Sequence, residues 1–217
     1  MLPDPTRPIH FTNTAPSKVF GPFLDPSYYG DPLQYSWNQM NFSTSQEIRL
    51  ERERRLILKT QTGSGQRTLW TPLPSPSHYI VTLGVIISNN RNNSYAQGGV
   101  LVTDGTKLVT LHQLSTGIME SGKWNNSTSF SSLYWNSGWR NSSMLWYRWV
   151  DDGTNRSAHI SHDGFIYNQL HSIGRTDFLT ATGVGIFYDP NSGGLEGSIS
   201  LFDFRIEPYG RANFWIY

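Results

Sequence analysis

Three Asp-Gly pairs divide the middle of this chain into short segments. They are Asp104-Gly105, Asp152-Gly153 and Asp163-Gly164. Asp-Gly tolerates the positive φ of a type I′ turn, so each pair predicts a hairpin between two strands. The segment 78–88, HYIVTLGVIIS, is apolar on both faces and predicts a central strand. Several short strands at this spacing indicate an antiparallel β-sandwich or jelly roll.

The composition agrees with an all-β domain and excludes several classes of partner. The 217 residues include 8 Trp, 11 Tyr, 11 Phe, 20 Gly and 12 Pro, which favours strands joined by tight turns. A net charge of +1 gives no global attraction to nucleic acid or to an anionic membrane. No apolar run is long enough to span a bilayer. We therefore expect neither nucleic acid nor a membrane as partner.

The absence of cysteine removes further possibilities. The chain can form no disulfide, no thiolate zinc site and no cysteine nucleophile. Its start, MLPDPTRPIHF, lacks a basic region followed by an apolar one. We therefore expect no Sec signal peptide.

The two ends differ from the middle, which is the predicted sandwich at residues 35–208. Residues 1–34 hold seven of the twelve prolines without a helical or strand period, and so predict an extended arm. The arm would lie along its own domain or, as we favour, along a neighbouring subunit. The tail 209–217 is apolar as well. The expected assembly contacts are Phe11, Phe20, Phe23, Tyr28, Tyr29, Phe214 and Trp215.

The stretch AHISHDGFIYNQL, residues 158–170, raises the question of a metal site or a catalytic dyad. An H-x-x-H spacing brings two imidazoles together on a helix, but a strand turns His159 and His162 to opposite faces. Sequence adjacency does not aim Asp163 at an imidazole nitrogen either. We expect a plain hairpin turn with surface histidines.

The segment YRWVDDGTNRSAHISHDGFIYNQL, followed by ATGVGIFYDPNSGGLEGSISLFDFRI, resembles the concanavalin A-like lectin/glucanase sandwich. It is most similar to the laminin-G-like and DUF1349-like branches, which show a strand with Arg between apolar residues, an S-x-D-G turn and a final F-D-x-F-R-I-like strand. Tyr167 stands where those domains usually have Trp. The resemblance covers about residues 36–207 and is most specific over 145–207.

Alternation predicts which side chains of these strands are buried. Within Phe202–Ile206 the three apolar side chains would share a buried face, opposite Asp203 and Arg205. On the strand around residue 148, Trp149 would point into the core and Arg148 away from it.

Enzymatic activity is not expected. Glucanases of the superfamily that the chain resembles carry an E-x-D-x-E type arrangement, which aligns acids on one face of a strand. No such triplet occurs among the 16 acidic residues. Glu51 and Glu53 share a face in RLERERRL, but four arginines surround them, which indicates salt bridges.

A Trp-rich segment at residues 123–149 is the candidate glycan-binding region. Sugars stack on exposed aromatic rings, with nearby polar groups bonding the hydroxyls. Trp135 and Trp139 are expected in a Ser/Asn/Gly-rich loop, and Trp124 and Arg148 complete the candidate set. Loop aromatics also pack against partner subunits, so that alternative stays open.

Structural calcium is the one cofactor that the sequence suggests. Asp189, Asn191 and Glu196 supply oxygen ligands in YDPNSGGLEG. Their spacing matches no EF-hand, and turn chemistry explains these residues equally well.

The resemblance, the missing signal peptide and the apolar arm together suggest a bacteriophage virion protein. We expect a non-enzymatic capsid decoration or tail-associated protein that is located in the virion, forms a homo-oligomer and has host glycans as a further partner. The alternative is a carbohydrate-binding module, lectin or receptor-binding protein. The fold does not decide between them.

Overall fold

The computed structural model describes residues 30–42, 47–51, 55–60, 65–74, 78–88, 95–137, 144–191 and 197–210. These residues form fourteen β-strands and a short 3₁₀ turn at Pro32–Gln34. In these ranges we find no helix that is long and apolar enough to cross a membrane. All of the expected assembly contacts of the arm and tail lie outside the described residues.

One seven-stranded antiparallel sheet, called sheet A, has the order β1-β4-β13-β6-β7-β8-β9. Its strands are β1 (Asn38–Met40), β4 (Arg67–Pro72), β13 (Gly183–Asp189), β6 (Gln97–Thr103), β7 (Leu108–Leu114), β8 (Met119–Asn126) and β9 (Ser129–Ser137).

The second seven-stranded antiparallel sheet, sheet B, has the order β12-β11-β10-β5-β14-β3-β2. Its strands are β12 (Asn168–Gly174), β11 (Asn155–Ser161), β10 (Met144–Asp151), β5 (Tyr79–Ser88), β14 (Gly197–Pro208), β3 (Arg55–Thr60) and β2 (Glu47–Glu51). The predicted two-sheet β-sandwich is confirmed.

The core lies between the two sheets and follows the period of two. Alternate residues of β5, among them Val81, Leu83 and Val85, are fully buried in it. Trp149 is buried in the same cluster, as predicted. At the N-terminal end of the described chain, the Gly30 amide donates to the Asp203 carboxylate at 2.9 Å. The last residues of the predicted arm therefore contact their own sandwich.

The three Asp-Gly pairs do form turns between strands, but the type I′ prediction is wrong. Gly105 has φ +95°, whereas Asp104 does not have a positive φ, and the loop is longer than two residues. Asp104 Oδ1 instead accepts from the amides of Thr106 at 2.9 Å and Lys107 at 2.7 Å. The other two pairs repeat this pattern. In each turn the aspartate side chain replaces backbone acceptors, and only the glycine needs the left-handed conformation.

The expected alternation in Phe202–Ile206 is also wrong, at Phe202. The register of β14 against β5 shifts between Leu201 and Asp203, which marks a β-bulge. Phe202 therefore lies on the outer face of sheet B, where its ring centroid is 5.3 Å from that of Trp146. Asp203 lies on the same face as Arg205, as predicted, and accepts from its Nη2 at 2.9 Å, but it is fully buried there.

Candidate functional site

A hairpin that crosses the outer face of sheet A forms one wall of a cleft. The β8–β9 pairing has three register shifts, at Ser121/Gly122, Lys123/Trp124 and Trp124/Asn126. Such bulges bend a strand pair out of the plane of its sheet. The hairpin tip reaches the start of β4, where Ser127 O accepts from the Gln66 amide at 2.7 Å. Because β13, β6 and β7 separate β4 from β8, the hairpin must arch over them.

The cleft beside this arch has a volume of about 460 Å³. Its aromatic lining includes Tyr95, Trp124 and Phe130. Tyr95 is 66% exposed and Phe130 is 50% exposed, whereas Trp124 is 8% exposed. The Trp124 and Phe130 rings meet edge to face, with centroids 5.2 Å apart. Trp124 also packs against Leu101, Leu108 and Phe187 beneath the arch, which fixes the position of the ring that supports Phe130.

The polar lining includes a histidine and a carboxylate from neighbouring strands. The β7–β8 register places His112 opposite Glu120, and His112 Nε2 lies 3.5 Å from Glu120 Oε2. His112 is 1% exposed, and its Nδ1 lies 3.1 Å from Thr110 Oγ1. Gly99 lies on β6 between His112 and Phe187, where a Cβ would come within 2.7 Å of His112 Cβ. Because Gly99 has no side chain, the rings of His112 and Phe187 meet over it, with centroids 5.7 Å apart. His112 in turn holds the Glu120 carboxylate towards the cleft.

A second carboxylate lines the cleft at the end of β13. Asp189 is 4% exposed, and Gln97 Nε2 donates to its Oδ2 at 3.4 Å. The Asn191 amide donates to its Oδ1 at 2.8 Å. Burial raises the pKa of Asp189, against the opposing effects of these hydrogen bonds and of Arg67. Both carboxylate oxygens are thus already oriented by the protein.

The calcium ligands expected from sequence are only partly described. Asp189 and Asn191 both line the cleft, while Glu196 lies outside the described residues. In the part of the chain that the structure describes, no group of three or more His, Asp or Glu side chains could hold a metal ion. The structural calcium ion therefore stays a prediction.

The four glycan candidates from sequence occupy different places, and only Trp124 lines the cleft. Trp135 was expected in a loop, but it lies on β9 and packs against the core between the sheets. Arg148 is on the outer face of sheet B, where the Tyr167 ring centroid lies 3.4 Å from its Cζ. Trp139 lies outside the described residues.

Sequence reasoning missed Tyr95, Phe130, His112 and Glu120. One signal could have found the last two, because Thr116-Gly117 joins two strand-like segments. A tight turn there, with Gly117 at φ +94°, sets the register that pairs His112 with Glu120. No comparable signal marks Phe130, whose exposure depends on the bend of the β8–β9 hairpin.

The histidines of residues 158–170 do not converge, in line with the hairpin expected for this stretch. His159 lies on β11, with its Nε2 2.8 Å from Ser157 Oγ, whereas His162 is exposed in the loop before β12. Burial, together with nearby Arg148, lowers the pKa of His159 to about 4.

No known protein family and no curated protein matches the chain. Solved structures do match. The GH43 BlXynB protein from Bacillus licheniformis gives a TM-score of 0.57 and 16% identity over 74% of this chain and 34% of its own. Carbohydrate-binding module CBM66 from Bacillus subtilis gives a TM-score of 0.54 and 9% identity, over 80% of this chain and 96% of its own. An alginate lyase from Corynebacterium sp. gives a TM-score of 0.52 and 11% identity, over 76% of this chain and 82% of its own.

These similarities show the fold. The matched proteins are β-sandwiches of glycoside hydrolase and lectin-like types, consistent with the concanavalin A-like sandwich that the sequence resembles. The chain spans about a third of the length of the BlXynB protein.

Proposed function

We propose that this protein is a non-enzymatic carbohydrate-binding domain that holds a glycan in the cleft on the outer face of sheet A. One observation carries the proposal. Exposed aromatic rings and oriented polar groups line the same cleft of about 460 Å³. Binding sites for small ligands are concave and combine apolar walls with a few fixed polar groups.

Each type of side chain has a distinct task in this proposal. Tyr95 and Phe130 offer ring faces on which the apolar side of a sugar ring stacks. Glu120 and Gln97 lie within the cleft and bond sugar hydroxyls. His112 holds Glu120 in place before the ligand arrives, which lowers the entropy lost on binding.

The non-enzymatic part of the proposal is supported by the state of the two carboxylates. Glycosidases use one carboxyl group as acid and a second as base or nucleophile. Asp189 accepts hydrogen bonds from Gln97 and from the Asn191 amide. Glu120 is engaged by His112.

The similar structures favour this function over a virion role. One of them is named a carbohydrate-binding module, and the match covers 96% of it. The virion hypothesis rests in part on the arm and the tail, whose expected contacts lie outside the described residues. The fold alone does not select the glycan, because an alginate lyase shares it.

The test is a titration of the full chain and two variants, Phe130→Ala and Tyr95→Ala, with the best ligand from an oligosaccharide array. We expect each variant to bind about tenfold more weakly, because loss of one stacking ring is worth about 1.4 kcal/mol. Thermal denaturation should show little change, since both rings are half or more exposed.

Phe165→Ala is the matched control, since Phe165 is 46% exposed in the loop between β11 and β12 of sheet B. It should keep full affinity. The proposal fails if no oligosaccharide binds, or if Phe165→Ala weakens binding as much as Phe130→Ala does. Release of reducing sugar from the bound glycan would overturn the non-enzymatic part.

A further inference from the structure

The charged side chains in the cleft are of one sign. Glu120 and Asp189 are both carboxylates, and both line the cleft. Among the described residues that line it there is no lysine or arginine. The one side chain that could carry positive charge is His112, and its Nε2 faces Glu120 at 3.5 Å. A ligand in the cleft therefore meets two carboxyl groups and no lysine or arginine of the described lining.

Two basic residues of the described chain come near the cleft without lining it. Lys123 precedes Trp124 on β8, but its Nζ lies 4.5 Å from the Tyr134 ring centroid and 5.9 Å from that of Phe178. Arg67 is 5% exposed and donates to the Gly65 carbonyl, and its charge opposes the effect of burial on the pKa of Asp189. Neither side chain lines the cleft.

This arrangement treats charged and uncharged sugars differently. A sugar hydroxyl is a donor that a carboxylate accepts, so Glu120 and Asp189 favour neutral hydroxyl-rich ligands. A sugar carboxylate offers no donor and would lose water beside like charges, with no lysine or arginine of the described lining to pair with it. Like-charge contacts of this kind are a common means of rejecting a wrong ligand.

We propose that the cleft selects uncharged oligosaccharides and rejects glycans that carry a uronic or sialic acid at the bound position. This inference rests on the proposed carbohydrate-binding function and names its ligand class. The observation that carries it is the pair of carboxylates, Glu120 and Asp189, in a described lining that contains no lysine or arginine.

The test uses pairs of probes that differ only in a carboxylate. Oligogalacturonates, glucuronoxylo-oligosaccharides and sialyllactose are each compared with their carboxyl-reduced forms of equal length, in which only the carboxylate is replaced by a hydroxymethyl group. The full chain is titrated with each probe at low and at moderate salt. We expect the neutral member of any pair that binds to bind at least tenfold more tightly, with a smaller ratio at moderate salt because salt screens the repulsion.

Two variants assign the discrimination to the cleft. Glu120→Gln and Asp189→Asn remove one negative charge each and keep the shape, so each should reduce the ratio between neutral and acidic probes. Glu207→Gln is the matched control, because Glu207 lies on β14 of sheet B and does not line the cleft. It should leave the ratio unchanged.

The outcomes separate the two proposals. Binding of acidic probes that equals or exceeds that of their neutral partners overturns the ligand class but leaves glycan binding standing. If Glu120→Gln and Asp189→Asn leave the ratio of neutral to acidic affinity unchanged, the cleft carboxylates are not the cause of the discrimination. Absence of binding to every probe overturns the proposed function, and the ligand class with it.

Discussion

The outer faces of the two sheets carry similar residues, but the face of sheet B is covered whereas the face of sheet A has an open cleft. Both carry aromatic rings beside carboxylates, and a connection between strands covers each. On sheet B the loop after β11 lies flat, and a Cβ on Gly164 would be only 3.0 Å from the Trp146 ring. On sheet A the bent β8–β9 hairpin covers the strands but leaves a cleft beside it.

The closed face shows what happens when polar groups are paired within the chain. Asp203 accepts from Trp146 Nε1 at 3.2 Å, from Arg205 Nη2 at 2.9 Å and from the Gly30 amide at 2.9 Å. Tyr167 covers Arg148 in the same way. Residue type alone therefore does not mark a binding surface. Exposure within a cleft does, and the exposed aromatic side chains Tyr95 and Phe130 line the cleft beside sheet A.

The largest effect that we predict is for the closed face. Trp146→Ala should lower the free energy of unfolding by about 3–5 kcal/mol, because it removes a fully buried ring and leaves a cavity. It also takes one hydrogen bond from the buried Asp203 carboxylate. Urea denaturation measures the loss, and glycan affinity of the folded variant should stay the same. A loss below 1 kcal/mol would mean that this face is not part of the core.

The period-two pattern made the sandwich and the buried position of Trp149 predictable, because alternation is a local property of each strand. Bulges are not local in this sense. The shift at Phe202 follows from pairing with β5, and the shifts in β8–β9 follow from the arch towards Gln66. No local sequence pattern predicts these bulges, so neither the inward orientation of Trp135 nor the cleft could be predicted.

A pH dependence of stability is the next effect, and it belongs to sheet B. Burial lowers the pKa of His159 and of His171 to about 4, with further lowering by Arg148 and Arg156 respectively. Below pH 6.5 both histidines take up a proton in the unfolded chain but not in the folded one. Stability should therefore be full above pH 6.5 and fall as the pH drops towards 4, by about 2 kcal/mol for each histidine after allowance for partial exposure.

Denaturation midpoints between pH 8 and pH 4.5 measure this effect. His171→Phe should flatten the profile by about half, because His171 already lies among rings, stacked on Tyr134 and edge-on to Trp149. A wild-type profile that is level from pH 7 to pH 4.5 would show that these imidazoles are more hydrated than their surroundings indicate.

The smallest effect is the one that separates the two faces most clearly. Arg148 has the residue type of a glycan-binding group, and it lies in the segment that resembles a lectin-like sandwich. Its Nε donates to Thr82 Oγ1 at 3.1 Å and its guanidinium lies under Tyr167, on the sheet opposite the cleft. Arg148→Met keeps the length of the side chain and should change glycan affinity less than twofold, while Phe130→Ala weakens it about tenfold. Titration of both variants with one ligand decides between the faces. If Arg148→Met loses affinity and Phe130→Ala does not, the loop over sheet B must open to bind, and the face that is closed in this structure is the functional one.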